Sequence, residues 1–181
     1  AFTLPNISEE DCPTASVDNV CKTTQSTIDF EEFHSGDLTP TLNVDGIDIY
    51  VTTTPDANRA MIFDTEIHPA TGGDPDLVAP GVGKIVIYSE DGDTSDPDDS
   101  LIGGAIEFDF RDFGDSGITL RSLVVIDTED GGTIDLYDKS GDQIAFFLIP
   151  DKNNGVVDTI ARTIPINVDG VSKMKLYFAG T

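Results

Sequence analysis

Basic residues, histidine, cysteine and tryptophan are scarce in this 181-residue chain, and each shortage restricts its function. Only 10 Lys and Arg residues stand against 34 Asp and Glu, which gives a formal net charge of −24. Nucleic acids and anionic lipids are bound through clustered Lys and Arg side chains, so this composition excludes both as partners. No run of about 18 apolar residues occurs, so we expect no membrane span.

Catalytic motifs are missing as well. The only histidines are His34 and His68, and the chain has no G-x-S-x-G motif, no H-E-x-x-H motif and no reactive Cys–His pattern. His68 precedes Pro69 in an acidic stretch, which is typical of a loop residue rather than of a general base. We therefore expect no enzymatic activity. Carboxylate pairs are abundant, however, and a calcium-dependent polysaccharide hydrolase is the alternative that they leave open.

The two cysteines, Cys12 and Cys21, have eight residues between them in a polar N-terminal stretch. This usage favours a local disulfide in an exported protein, and two free thiols in an irregular arm are the alternative. No third cysteine or nearby histidine completes a thiolate metal site. The sequence thus predicts a secreted or cell-surface protein, in which residues 1–25 form an irregular arm with a Cys12–Cys21 disulfide.

From residue 26 onward, short runs rich in Ile, Val, Phe, Tyr and Thr are separated by Gly, Pro, Asp and Asn. Apolar and polar residues alternate in Ile106–Phe110 and in Met174–Phe178, as in strands with one buried face. We predict one all-β domain over 26–181, an antiparallel β-sandwich of about ten strands, with jelly-roll topology and long acidic loops. The predicted strands are Ser26–Phe33, Ile47–Thr52, Arg59–Asp64, Lys84–Ser89, Ala105–Phe110, Ile118–Ile126, Thr133–Tyr137, Ile144–Ile149, Val156–Ile164 and Val171–Phe178.

The acids are mostly Asp, since 26 Asp and 8 Glu make up the total of 34. Asp favours turns and loops, where its short carboxylate is a common ligand of Ca²⁺. Two connections, from Thr65 to Gly83 and from Glu90 to Gly104, are longer than hairpins need. Six of the ten residues from Glu90 to Asp99 are acidic, and such crowding is costly without a counterion. We predict that Ca²⁺ orders both loops, with these first-choice ligands: Asp64, Asp74, Asp76, Glu90, Asp91, Asp96 and Asp98.

Asp64 and Glu90 are central to this hypothesis because each ends a predicted strand, where a rigid sheet would aim it into the loop. Solvated turn acids are the alternative interpretation. A second metal site is predicted at Asp29 and Glu31 on the first strand, although an exposed strand face explains them equally well. The four tyrosines at strand positions are interpreted as structural rather than as sugar-stacking platforms: Tyr50, Tyr88, Tyr137 and Tyr177.

Several motifs follow one another in an order that resembles a known module. They are Met61–Thr65, Gly72–Leu77, Ile85–Asp91, Asp96–Asp99 and Gly103–Phe110, with Ile28–Glu31 before them and Val171–Gly180 after them. The pattern resembles a secreted β-sandwich module of large bacterial and algal surface proteins, which often lies beside adhesin or sorting-signal regions. The module is similar in general appearance to galactose-binding and carbohydrate-binding sandwiches, in which calcium is often structural. The resemblance covers about residues 26–181 and implies a compartment and a fold more than an activity.

Composition, loop chemistry and resemblance lead to one hypothesis for function. The sequence predicts a secreted, calcium-binding β-sandwich of a cell-surface or matrix protein. Its expected role is adhesion or glycan binding, with an extracellular glycan or a surface or matrix protein as partner. A purely structural or mineral-associated acidic spacer, binding many calcium ions weakly, is the first alternative, and the hydrolase is the second.

Overall fold

The protein folds into antiparallel sheets without α-helices in the part of the chain that the structure describes. This computed structural model describes residues 2–3, 26–66, 75–127, 131–150 and 161–179. The strands are β1 (Phe2–Thr3), β2 (Thr41–Val44), β3 (Ile47–Thr54), β4 (Ala60–Asp64), β5 (Lys84–Tyr88), β6 (Gly103–Asp109), β7 (Ile118–Val125), β8 (Gly132–Tyr137), β9 (Gln143–Ile149), β10 (Arg162–Val171) and β11 (Lys173–Ala179). Two short 3-10 helices, Pro75–Leu77 and Arg111–Phe113, lie between strands. None of the described residues forms a helix long and apolar enough to cross a membrane.

The strands form three sheets. The largest has six strands in the order β2-β3-β6-β11-β8-β9, and every neighbouring pair in it is antiparallel. A second sheet has the order β1-β7-β10, and β4 and β5 form a third sheet of two strands, with one isolated bridge between Met61 of β4 and Leu38. The all-β antiparallel fold predicted from the sequence is therefore confirmed, whereas jelly-roll connectivity stays a prediction.

One hydrophobic core joins the two larger sheets. Residues such as Ile106 and Phe108 from the six-stranded sheet share a buried cluster with Leu120 and Leu123 of β7 and Ile164 of β10. Alternation along each strand sends every second side chain into this cluster, because successive strand residues point to opposite faces. The two sheets thus pack face to face as the layers of a sandwich, and the other face of the six-stranded sheet points away from the core.

The β4–β5 pair is buried on both faces. Ala60, Ile62 and Tyr88 belong to the main core, whereas Met61 and Ile87 belong to a second, smaller cluster. Burial on both sides explains why these strands are continuous apolar runs rather than alternating ones.

The hairpin of β2 and β3 is an element that the sequence interpretation missed. Its two-residue turn, Asp45-Gly46, has φ values of 52° and 85°, as a type I′ turn requires. Leu42 and Val44 alternate with polar residues directly before this turn. An Asp-Gly pair beside alternating apolar residues is a strong hairpin signal, so the sequence contained the information needed to place β2.

The first predicted strand, Ser26–Phe33, is wrong. Ile28 makes one isolated bridge, and the chain turns at Phe30, which has a φ of 61°. The amide of Phe33 donates to the carbonyl of Phe30 at 3.1 Å, closing that turn. Ile28 and Phe30 are both buried, so their alternation reflects anchoring in the core rather than membership of a sheet.

The last two predicted strands have shifted boundaries. Strand β10 extends to Val171, so it includes residues 165–170, which the prediction left between two strands. Its pairing with β7 shifts register on either side of Val168. Residues 156–160 of the predicted strand Val156–Ile164 lie outside the described residues. In the N-terminal arm, Phe2–Thr3 pairs with β7, while Cys12 and Cys21, and with them the predicted disulfide, lie outside the described residues.

Candidate functional site

The two acidic loops lie at opposite ends of the β4–β5 pair. Asp64 at the end of β4 pairs with Lys84, whereas Tyr88 at the end of β5 pairs with Ala60. Four residues of strand separate these ends, a distance of about 13 Å at about 3.3 Å per residue. The structure therefore places Asp64 and Glu90 at opposite ends of the pair, while their role as calcium ligands stays a prediction.

At the Asp64 end, the acids are engaged by backbone amides and by a lysine. A carboxylate oxygen of Asp64 accepts from the amide of Glu66 at 3.0 Å. The carboxylate of Glu31 accepts from the amide of Lys84 at 2.8 Å, and the Lys84 ammonium lies 3.6 Å from its second oxygen. Lys84 thus neutralises part of the charge of Glu31, a carboxylate that was predicted to bind calcium. Asp76 lies in the 3-10 helix Pro75–Leu77, and Asp74 lies outside the described residues.

Asp29, the other residue of the second predicted metal site, does not lie on a strand. Its carboxylate accepts from the amide of Glu31 at 3.3 Å, as in an Asx turn. It lines a shallow cleft with Glu32 and Asp45, and Asp45 accepts from the Ser26 hydroxyl at 2.9 Å. Asp29 and Glu31 therefore serve different contacts, because Glu31 bonds to Lys84.

The second loop, Ser89–Ser100, is held by a series of short-range hydrogen bonds. Asp91 accepts from the amide of Asp93 at 2.7 Å, and Asp93 accepts from the amide and hydroxyl of Ser95 at 2.9 and 2.7 Å. The bonds from Ser95 lower the pKa of the exposed Asp93 carboxyl. Backbone bonds add to this, including Glu90 amide to Asp98 carbonyl at 3.3 Å. The loop is thus shaped by its own turns, while Glu90, Asp91 and Asp96 remain exposed.

No group of three or more His, Cys, Asp and Glu residues is arranged to hold a metal ion within the described ranges. Among the first-choice ligands that the structure describes, Asp64 lies at one end of the β4–β5 pair, whereas Glu90, Asp91, Asp96 and Asp98 lie at the other. A calcium ion bound by these residues therefore belongs to one loop or the other rather than to both.

The outward side of the six-stranded sheet carries a second set of candidate residues, which we call the outer face. It is defined by Tyr50 and Thr52 of β3, Glu107 and Asp109 of β6, Lys173, Lys175 and Tyr177 of β11, Asp135 and Tyr137 of β8, and the neighbouring Arg111 and Asp112. The strand registers align these side chains in rows. One row runs Tyr50, Asp109, Lys173, Tyr137, and the next runs Thr52, Glu107, Lys175, Asp135.

At the β3 side of the outer face, a guanidinium and two carboxylates hold a tyrosine in place. The guanidinium of Arg111 lies 5.0 Å from the centre of the Tyr50 ring and forms an ion pair with Asp109. The Tyr50 hydroxyl donates to Asp112 at 2.9 Å, and this bond to a carboxylate raises the pKa of Tyr50. The pKa of Arg111 is raised by its bond to Asp109. One guanidinium against two carboxylates leaves this corner with a formal charge of −1, and the contacts to Arg111 and Asp112 fix the Tyr50 side chain.

At the β11–β8 side, charges alternate with rings. The ammonium of Lys173 lies 3.0 Å from Glu107, and that of Lys175 lies 4.8 Å from the centre of the Tyr177 ring. A carboxylate oxygen of Asp135 accepts from the side-chain amide nitrogen of Gln143 at 3.1 Å. Burial, followed by the charge of Asp135, raises the pKa of Tyr137. The pKa of Lys175 is raised chiefly by its hydrogen bond with Tyr177.

The sequence analysis took all four tyrosines as structural and did not single out the outer face. Tyr88 is buried in the core, in agreement with that interpretation. Tyr50, Tyr137 and Tyr177 lie on the outer face, and Tyr177 is 37% exposed. The alternation Lys173, Lys175, Tyr177 against buried Met174 and Leu176 was the available signal, because it places Tyr177 opposite the core.

Comparison with protein-family models, with curated proteins and with solved structures finds no match. The arrangement of the residues themselves is therefore the basis for a functional proposal.

Proposed function

We propose that this protein is an extracellular module that binds glycans through the outer face and thereby serves adhesion, with calcium bound in the acidic loops. The observation that carries the proposal is the outer face itself. It places Tyr50, Tyr137 and Tyr177 among carboxylates and ammonium groups on adjacent strands. The secreted location rests on Cys12 and Cys21 and on the resemblance to surface-protein modules.

Glycan recognition requires apolar ring faces together with many directional hydrogen-bonding groups. A pyranose has an apolar face that packs on aromatic rings, whose apolar body and polar hydroxyl suit a half-wet surface. Glu107, Asp135 and Lys175 lie in one row next to the tyrosines and offer acceptors and a donor to sugar hydroxyls. The face needs little reorganisation on binding because ion pairs within it already fix several side chains.

The charge of the molecule favours neutral glycans over acidic ones. The chain carries a net charge of −24, which repels uronates and sulfated sugars. The cations of the outer face do not reverse this, since Lys173, Lys175 and Arg111 share the face with four carboxylates, those of Glu107, Asp109, Asp112 and Asp135. We therefore expect neutral hexose or pentose polymers to bind better than acidic polymers.

A glycan array tests this proposal. We expect the labelled protein to bind neutral oligosaccharides such as those of glucans, mannans, xylans or galactans, and to bind alginate and heparin fragments more weakly. The array should be run with calcium and with EGTA, so that ligand binding and ion binding are scored separately. Stronger binding to acidic than to neutral glycans without calcium, or no binding at all, would contradict the proposal.

The calcium part of the proposal is tested by thermal unfolding, with variants that distinguish the two loops. A ligand held at 100 times its Kd stabilises the native state by about 2.7 kcal/mol, so a specific site gives a saturable rise in Tm. We expect this rise with calcium and not with magnesium. The Asp96→Asn/Asp98→Asn variant should lose it if the Ser89–Ser100 loop binds the ion, and Asp64→Asn should lose it if the other end does.

The exposed turn acid Asp142 provides the matched control, and Asp142→Asn should keep the calcium response of the wild type. Equal shifts with calcium and magnesium, or no shift, would remove calcium from the proposed function. Binding of many weak ions, counted by isothermal titration, would instead support the acidic spacer.

A further inference from the structure

Strand β9 is an uncharged edge in a strongly acidic protein. Its seven residues, Gln143–Ile149, include none of the 34 acids and none of the 10 Lys and Arg residues. It ends the order of the six-stranded sheet, and within the described chain it pairs on one side only, with β8. Among the described strands, none occupies its other side, where the backbone amides and carbonyls of an edge strand can pair with a further strand.

The outward side chains of β9 form an apolar stripe. Ile144, Phe146 and Leu148 are 40%, 53% and 67% exposed, and Tyr177 continues the patch two strands away. These four residues are most of the exposed large hydrophobics in the described chain, the others being Leu38, Leu101 and Ile102. An exposed patch of contiguous apolar side chains marks an interaction surface more often than scattered ones do.

Edges of natural sheets are protected by short length, lysine, proline or a bulge. The opposite edge, β2, is only four residues long and ends at the Asp45-Gly46 turn. Strand β9 has no charge and no proline, and its one bulge lies near its first residue, where Ile144 is an extra residue between the partners of Leu136 and Tyr137. From Ala145 to Ile149 the edge is regular and apolar, and no other described residue pairs with it.

We propose that β9 pairs antiparallel with β9 of a second copy, about a two-fold axis at Phe146. Phe146 is the central residue of the strand, so the axis places it opposite Phe146 of the other copy. Ile144 then lies opposite Leu148 of the other copy, and the reverse. The stripe is complementary to itself under this operation, which is what a two-fold interface requires.

The charge on each copy determines when this dimer forms. Two chains of net charge −24 repel each other, but β9 carries no charge at the contact. At physiological ionic strength, salt screens charges that lie more than about 8 Å apart. Added salt therefore weakens the charge repulsion between the two copies, while the uncharged contact at β9 is left unchanged. One strand with its stripe covers less than the roughly 800 Å² per partner of a standard interface, and we therefore expect a weak dimer.

The dimer would place the two outer faces side by side on one continuous sheet, because a two-fold axis perpendicular to the sheet keeps them on the same side. Two such faces would bind a polymeric glycan more tightly than one. This consequence rests on the proposed function, whereas the dimer itself does not.

Sedimentation of the full chain over a range of concentrations tests the dimer. We expect the dimer fraction to rise with concentration and to be greater at about 0.5 M NaCl than at low salt. Phe146→Lys, which puts a charge on the axis, should abolish the dimer. Ile102→Lys is the matched control, since Ile102 is 77% exposed but lies outside β9, and it should leave the dimer unchanged.

Cysteine cross-linking tests the register independently. In an antiparallel pair, directly opposed Cα atoms lie about 4.5–5.5 Å apart, within the range that a disulfide spans. Phe146→Cys should therefore form a covalent dimer under oxidation. Leu148→Cys lies opposite Ile144 of the other copy, so it should give at least about tenfold less covalent dimer. A monomer at every concentration and salt, or a dimer that Phe146→Lys leaves intact, would overturn the proposal, and neither result bears on glycan binding.

Discussion

Replacing Phe108 with alanine is expected to lower the free energy of unfolding by about 3–5 kcal/mol. Phe108 is 1% exposed and lies on β6, between Val51 of β3 and Met174 of β11. Removing its ring leaves a cavity in the cluster that joins the two larger sheets, and neighbouring strands can relax only in part. Urea denaturation followed by circular dichroism measures the loss.

The adjacent residue supplies the control for this prediction. Glu107 points to the outer face and pairs with Lys173, and a surface ion pair of this kind contributes about 0–1 kcal/mol. Should Phe108→Ala fail to fold, Phe108→Leu should still fold, with a loss of about 1–2 kcal/mol. A loss from Glu107→Ala as large as that from the Phe108 variants would show that the two faces of the sheet have been assigned the wrong way round.

Replacing Tyr137 and Tyr177 together with alanine is expected to weaken glycan binding by at least about tenfold, because each ring contributes roughly 1 kcal/mol or more. Both rings lie on the outer face on neighbouring strands, beside Asp135 and Lys175. Titration calorimetry with the best neutral oligosaccharide from the array measures the change. The Tm of the double variant, measured alongside, separates loss of binding from loss of fold.

Thr163 offers a control on the other large sheet. It is exposed on β10, which belongs to the three-stranded sheet and not to the outer face. Thr163→Ala should therefore bind as the wild type does. Undiminished binding by the tyrosine double variant would exclude these rings from the binding site.

Local sequence pattern was sufficient to predict most of the strands, because strand alternation is a local property. Residues Lys173–Tyr177 and Ile106–Asp109 alternate clearly, and both segments are strands. The Asp45-Gly46 turn was equally readable from the sequence. The predicted strand at Ser26–Phe33 failed because two anchored apolar residues produce the same alternation as a strand does.

The arrangement of the predicted ligands depended on strand pairing, which no local pattern contains. Asp64 ends β4 and Glu90 lies two residues after β5, but antiparallel pairing puts the last residues of the two strands at opposite ends of the pair. Glu31 reaches Lys84 only because the chain turns at Phe30. The outer face depends on pairing too, since its rows combine residues from strands that are distant in the chain.

The acidic loops illustrate how a crowded set of carboxylates is ordered by hydrogen bonds within the chain. Asp91 accepts a hydrogen bond from the amide of Asp93, and Asp93 accepts from the amide and hydroxyl of Ser95. Calcium is therefore expected to add to a loop that is already shaped, rather than to fold it. The Tm rise in calcium should accordingly be moderate, and the protein should remain folded in EGTA.

Chemical-shift mapping by NMR shows which face of the protein contacts a bound glycan. A ¹⁵N-labelled sample is titrated with the neutral oligosaccharide that binds best on the array, in EGTA and then in calcium. We expect the largest amide shifts at Glu107, Asp135, Lys175 and Tyr177, with and without calcium. Shifts confined to the Ser89–Ser100 loop, or no shifts with any neutral oligosaccharide, would contradict the assignment of the outer face as the binding site.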